Sequence, residues 1–197
     1  EQPYMMMAYR APRLLDPDKD WEPYALDMLA SVLDGNEAAR FSRELVRGTQ
    51  IASSVDASYD GVGRGPAFFY FSGVPTAGKT LDQLEQAVRG EVQKIINDGV
   101  TEDELRRLKA QVVASRIYER DSMFFQARQI GSMETIGFPY TAIDVMTEKF
   151  KAVTAEQVRE VAKKYLIDDA LTVAYLDPQP VGDKKPAAVP TGVRHVQ

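Results

Sequence analysis

Apolar positions along the chain switch between two periods, and the switches divide it into elements. Pro3 to Arg10 (PYMMMAYR) is apolar on both alternating faces, which predicts a strand covered on at least one side. The loop APRLLDPDKD follows, broken by Pro12 and Pro17. From Trp21 to Leu33 the spacing becomes helical, with Trp21, Ala25, Met28, Leu29, Val32 and Leu33 on one side and Gly35 in a C′-like stop position. A second short helix is predicted over Glu37 to Val46, presenting Phe41 and Leu45 and closed by Gly48. Alternation returns from Ile51 to Tyr59 and places Ile51, Ser53, Val55, Ala57 and Tyr59 on one face. The glycines and proline of DGVGRGP mark a hairpin turn. Ala67 to Val74, carrying Phe68, Phe69, Tyr70 and Phe71, then reads as a central strand, and those aromatics and Met5-Met6-Met7 as strand core.

The remainder is mostly helical, and its helix starts are marked by capping boxes. Thr80-Leu-Asp-Gln83, Thr101-Glu-Asp-Glu104 and Thr154-Ala-Glu-Gln157 each pair a capping hydroxyl with a side chain that reaches back to the cap amide. The first helix carries Leu81, Leu84, Val88, Val92, Ile95 and Ile96 inward and stops at Gly99. The second carries Leu105, Leu108, Val112 and Ile117 inward, bends near Asp121 and continues to Ile136, where Gly137 and Pro139 stop it. Further helices are predicted over Ala142 to Lys151 and Ala155 to Tyr165, and a last strand over Ala170 to Leu176. Strands joined by a tight turn must be antiparallel. The fold class is therefore α+β, an antiparallel or mixed sheet with helices on one face. Residues 1–177 form a single domain, and the Pro/Lys-rich stretch 178–197 reads as a tail or linker.

Composition narrows the chemistry by exclusion. The chain has no cysteine, which removes disulfides, thiolate metal sites and a cysteine nucleophile. Its one histidine, His195, sits in the tail, so a zinc site needing two or three imidazoles cannot be assembled. A formal net charge of −5 argues against nucleic acid as a partner. No apolar run reaches the ~18 residues of a membrane span. The chain opens on Glu1 directly in a strand-like run, and the expectation is that it is cut from a longer polypeptide. Ser53, Ser54 and Ser58 have no histidine to activate them. The acidic pairs Glu102/Asp103 and Asp168/Asp169 lie at helix ends, where dipole complementarity explains them better than calcium does.

One motif points elsewhere. Gly73-Val-Pro-Thr-Ala-Gly78-Lys79-Thr80 matches the P-loop pattern G-x-x-x-x-G-K-[ST], in which amides cradle phosphate and the lysine reaches it. A P-loop follows the first strand of a parallel βαβ unit, whereas this strand closes a hairpin. Thr80 already serves as a helix cap, and no second apolar strand ends in an aspartate for magnesium. Nucleotide binding through Gly73–Thr80 is therefore the weaker alternative.

Several phrases, in order and at matching spacings, carry a family resemblance. They are Tyr24-Ala-Leu-Asp-Met-Leu-Ala-Ser-Val-Leu-Asp-Gly35, Ala39-Arg-Phe-Ser-Arg-Glu-Leu45, Ile51-Ala-Ser-Ser-Val55, Asp98-Gly-Val-Thr-Glu-Asp-Glu-Leu105 with Arg107 and Lys109, and Ala152-Val-Thr-Ala-Glu-Gln-Val158 with Lys164-Tyr-Leu166. Over Gln2 to Pro178 the chain resembles the second half of the pitrilysin/insulinase peptidases, the inverted zincins that include mitochondrial processing peptidase. The resemblance implies an α+β half-domain that faces another half around a closed chamber. One half of such a pair carries H-x-x-E-H and binds zinc, and the other supplies chamber wall and substrate contacts. This chain lacks H-x-x-E-H and so matches the non-catalytic wall half, with no cofactor of its own and zinc expected in the partner half. The implied partners are that half, on the same polypeptide or a separate subunit, and a peptide substrate. A homodimer is expected of the isolated chain, and a scaffold without enzymatic activity is the competing role. The compartment is left open, with a periplasmic or other extracytoplasmic one expected. Wall halves place an arginine and, seven residues on, a tyrosine near substrate. The aligned positions here are Val46 and Ser53, and Arg47 comes one residue late. Arg47 and Ser53 are therefore the candidate substrate contacts, with the usual clamp absent or remade.

Overall fold

A computed structural model of the protein describes residues 2–119 and 121–178, with the side chains of 116–119 outside it. Apart from Pro178, the stretch 178–197 read as a tail lies outside the described residues, and His195 with it. Strand β1 (Tyr4–Ala11) runs into helix α1 (Glu22–Asp34), a π-helical segment (Phe41–Gly48), and the hairpin of β2 (Ala52–Tyr59) and β3 (Ala67–Pro75). Helices α2 (Leu81–Asp98), α3 (Glu102–Glu119), α4 (Met123–Ile136), α5 (Ala142–Ala152) and α6 (Ala155–Tyr165) follow, and β4 (Leu171–Leu176) ends the described fold.

The four strands form one sheet in the order β2-β3-β1-β4, and every neighbouring pair is antiparallel. The α+β expectation holds. The alternation of side chains decides which face is covered. Met5, Met7 and Tyr9 of β1 and Phe69 and Phe71 of β3 are buried against helices. Their rings interlock, Tyr9 meeting Phe71 edge-on at 5.9 Å between centroids and Phe41 tilting onto Phe71 at 5.7 Å. Helix α1 lies at the centre of the helical layer. Almost every side chain along it is buried, from Pro23 through Leu33, as expected of a helix apolar all round. Helices α2 and α6 add Leu84, Val88, Val92, Ile95, Val158 and Val161 to the same core.

All three capping boxes form. Thr80 and Thr154 each accept from the amide three residues on, while Gln83 and Gln157 return to the cap amide. At α3 the Thr101 amide donates to Glu104 at 2.9 Å and the Glu104 amide to the Thr101 hydroxyl at 3.2 Å. Arg159 of α6 donates to the carbonyls of Ile96 and Asn97, so one side chain closes the end of α2 and ties the two helices together.

Four local expectations are corrected. The short helix is π-wound rather than α-helical, with the Thr49 amide reaching back five residues to the Glu44 carbonyl. Gly35 caps α1 in the right-handed region (φ −69°), not the left-handed one, and is small because a Cβ there would stand 2.5 Å from the Ser31 carbonyl oxygen. The helix expected to bend near Asp121 breaks instead, since Ser122 accepts from the Phe125 amide and starts α4. Lastly, a bulge between Ala52 and Ser54 shifts the register of β2. Ala52 and Val55 are buried, and Ser53 turns outward instead of sharing a face with Val55.

A candidate substrate-facing surface

The side of the sheet away from the core is open. Register pairs Met6 with Ser72 and Ala174, Ala8 with Tyr70 and Thr172, and Arg10 with Phe68. On the β2 side, Asp56 faces Ser72 and Ser58 faces Tyr70. None of these outward residues is buried, and Met6 is 41% exposed. The expectation that Met5-Met6-Met7 and Phe68–Phe71 are core therefore holds for alternate residues only. Phe68 and Tyr70 pack on each other at 5.7 Å on the open face. Its centre is aromatic and aliphatic, its β2 margin is hydroxyl-lined, and among the residues paired here only Arg10 and Asp56 bring charge.

The two sequence-derived contact residues lie at the entrance to β2. Arg47 is exposed near the end of the π-helical segment, and its guanidinium donates to the Glu37 carbonyl. Ser53 is exposed at the bulge and donates to the Val74 carbonyl at 3.1 Å. Val46 packs against the core. Both candidate side chains thus reach the surface of one contiguous segment, each held by a backbone carbonyl.

An ion-pair network fixes that segment to the helices. Arg40, just before the π-helical turns, makes a two-pronged contact with Glu104 of α3, both distances 2.9 Å, and also donates to the Gly99 carbonyl. The side chains are only 11% and 14% exposed. Burial opposes ionisation of Glu104, but the hydrogen bonds from Arg40 and Thr101 and the Arg40 charge outweigh it and hold the carboxyl at about 2. Beside this pair lies a largely apolar groove of about 700 Å³ between the Asn36–Ala39 turn and α3, lined by Val32, Ala38, Arg107, Leu108 and Gln111. Nothing in the sequence pattern singled out the groove, because its two walls lie far apart in the chain.

The P-loop alternative does not survive the geometry. Gly73 sits within β3, paired with Met5 on one side and Val55 on the other, so it belongs to a strand and not to a phosphate-cradling loop. The Thr80 hydroxyl is engaged in the cap of α2. One member of each acidic pair meets an arginine: Asp103 reaches Arg106 of its own helix at 2.9 Å, and Asp168 reaches Arg89 of α2 at 2.5 Å. Among the described residues no three His, Asp or Glu side chains converge on a position that could hold a metal. The residues described do not fit a zinc ion. No helix among them is long and apolar enough to cross a membrane.

Comparison with known proteins places this architecture. Residues 1–112 match the family profile described as Peptidase M16 inactive domain. The chain belongs to that family. Its fold is shared with a protease from Helicobacter pylori, at TM-score 0.81 and 19% identity over 90% of this chain and 41% of the other. A peptidase M16 inactive domain from Pseudomonas fluorescens superposes at TM-score 0.75 and 19% identity over 94% of this chain and 42% of that one. An inactive peptidase domain from Bordetella parapertussis is matched almost end to end, over 96% and 95% of the two chains, at TM-score 0.76 and 18% identity. At these identities the structural likeness establishes the fold. The M16 inactive domain described here spans about two fifths of the Helicobacter and Pseudomonas chains. No curated protein matches its sequence.

Proposed function

We propose that this inactive domain forms the zinc-free wall of a two-half zinc endopeptidase, with the open face of its sheet turned toward the substrate chamber. The observation that carries this reading is that open face, on a sheet whose other side buries Met5, Met7, Tyr9, Phe69 and Phe71 against the helices. An exposed and partly aromatic sheet surface is costly to leave in water unless something occupies it. Zinc and the general base belong to the partner half, and this chain contributes no catalytic residue. Its part is to hold an extended peptide by apolar contact across Met6, Tyr70 and Phe68. Arg47 and Ser53 meet the peptide at the β2 margin, where a guanidinium and a hydroxyl offer donors to backbone carbonyls.

The test is peptide cleavage by the assembled protease bearing Met6→Asp/Tyr70→Asp in this half. Both positions are away from the core, so folding should be retained, and kcat/KM should fall at least tenfold. An unchanged kcat/KM would contradict the reading. A scaffold role is favoured by one observation, that Arg47 and Ser53 both already donate to carbonyls of this domain. In that case the assembly would bind no peptide at this face, and cross-saturation from a bound unfolded peptide to the Tyr70 ring would be absent.

A further inference from the structure

The helical hairpin of α3 and α4 leaves the body of the domain. Leu105 and Leu108 of α3 are buried and Val112 is packed against the core, whereas Ala114 and Ser115 are exposed. Helix α4 then returns without burying a single residue, and the chain rejoins the core only at Phe138. A fourteen-residue surface helix normally buries one stripe. Here the inward stripe of Phe125, Gln129, Met133 and Ile136 is only half-buried, while Met123 is 87% exposed, Phe124 is 80% exposed and Ile130 is 42% exposed. Met123, Ala127 and Ile130 follow helical spacing and Phe124 flanks them, so they form one outward stripe. Two polar groups beside it are already engaged: the Arg128 guanidinium stacks 5.0 Å over the Phe125 ring, and Glu134 accepts from the Tyr140 amide.

We infer that the Met123–Ile130 stripe of α4 docks onto the other, zinc-bearing half of the protease, as an arm reaching across the junction between halves. This rests on the wall-half reading above and names the surface it uses. Area argues against a second copy of this chain as the occupant. Four such side chains offer roughly 400 Å², about half of the ~800 Å² per partner of a standard-size interface. An α4-to-α4 contact would therefore fall short. A partner that also covers other parts of this domain makes up the difference, and about three fifths of the Helicobacter and Pseudomonas chains lies outside the part this domain matches.

The experiment is hydrogen exchange on this chain alone and on the protein with its H-x-x-E-H half present, as one polypeptide or as two subunits. Amides of residues 123–136 should exchange at least tenfold more slowly in the paired protein, and Met123→Lys/Phe124→Lys should abolish that difference. Both side chains are exposed in the lone domain, so the variant should fold. Protection elsewhere on this chain with none on α4 overturns the inference and leaves the wall-half reading standing. Protection of α4 that rises with the concentration of this chain alone assigns the stripe to a second copy and also overturns it. No protection anywhere overturns the wall-half reading together with the inference.

Discussion

Glu104→Gln is the sharpest probe of how the segment carrying Arg47 is held. The substitution keeps the size of the side chain and removes the charge that Arg40 grips. The folded carboxyl titrates at about 2, against an ordinary 4.5 in the unfolded chain, and that gap is worth about 3 kcal/mol at neutral pH. Arg40 would be left nearly buried without its counter-charge and with one of its three acceptors gone, which acts in the same direction. Because the folded value is depressed, the stabilisation is fully present above pH 4.5 and is lost as pH falls toward about 2. Urea unfolding followed through Trp21, the only tryptophan and packed against the core, reads the difference directly. Wild type should exceed the variant by about 3 kcal/mol at neutral pH, and the two should converge as pH falls from 4.5 toward about 2. A difference below about 1 kcal/mol at neutral pH, or one that does not change with pH, would refute the account of this pair. Arg40→Met added to Glu104→Gln should recover part of the loss, because no stranded charge remains.

Other substitutions test separate parts of the fold. Phe71→Ala removes a fully buried ring that touches Tyr9, Phe41 and Phe69, and should cost about 3–5 kcal/mol in the same urea assay. Thr154→Ala removes the cap of α6 and should cost about 1 kcal/mol, with Thr154→Ser recovering most of it. Gly73→Ala would set a Cβ 3.0 Å from the Ser54 carbonyl oxygen and 3.1 Å from a Leu84 methyl, so a loss of about 1–3 kcal/mol is expected. Lys79→Ala should change neither stability nor calorimetric heat with ATP and magnesium, and binding abolished by that substitution would restore the nucleotide reading.

The parts of the fold that were legible in the sequence are those decided within a few residues. A capping box is an exchange between positions three apart, so Thr80, Thr101 and Thr154 announce their helices without tertiary information. The turn between β2 and β3 is equally local. The π-helical segment is not legible, because Phe41 and Leu45, four residues apart, satisfy α and π winding alike. The β2 bulge was hidden for a related reason. Alternation gives a period but no phase beyond an inserted residue, so it puts Ser53 on the face of Val55 while the bulge turns it outward. The open side of the sheet illustrates the larger limit. Met6 and Tyr70 look like core because local apolarity marks a strand, while which face is covered depends on where the helices pack. Family phrases supplied the membership that no single motif could, and they did so through order and spacing.

A non-catalytic partner in a zinc peptidase should show its role when metal content and activity are measured together. The purified domain, equilibrated with zinc and freed of excess, should retain far less than one zinc per chain by elemental analysis. It should leave an unfolded casein-type substrate intact. Adding the H-x-x-E-H half should produce chelator-sensitive cleavage that neither half gives alone. Stoichiometric zinc and chelator-sensitive cleavage by this domain by itself would contradict the account.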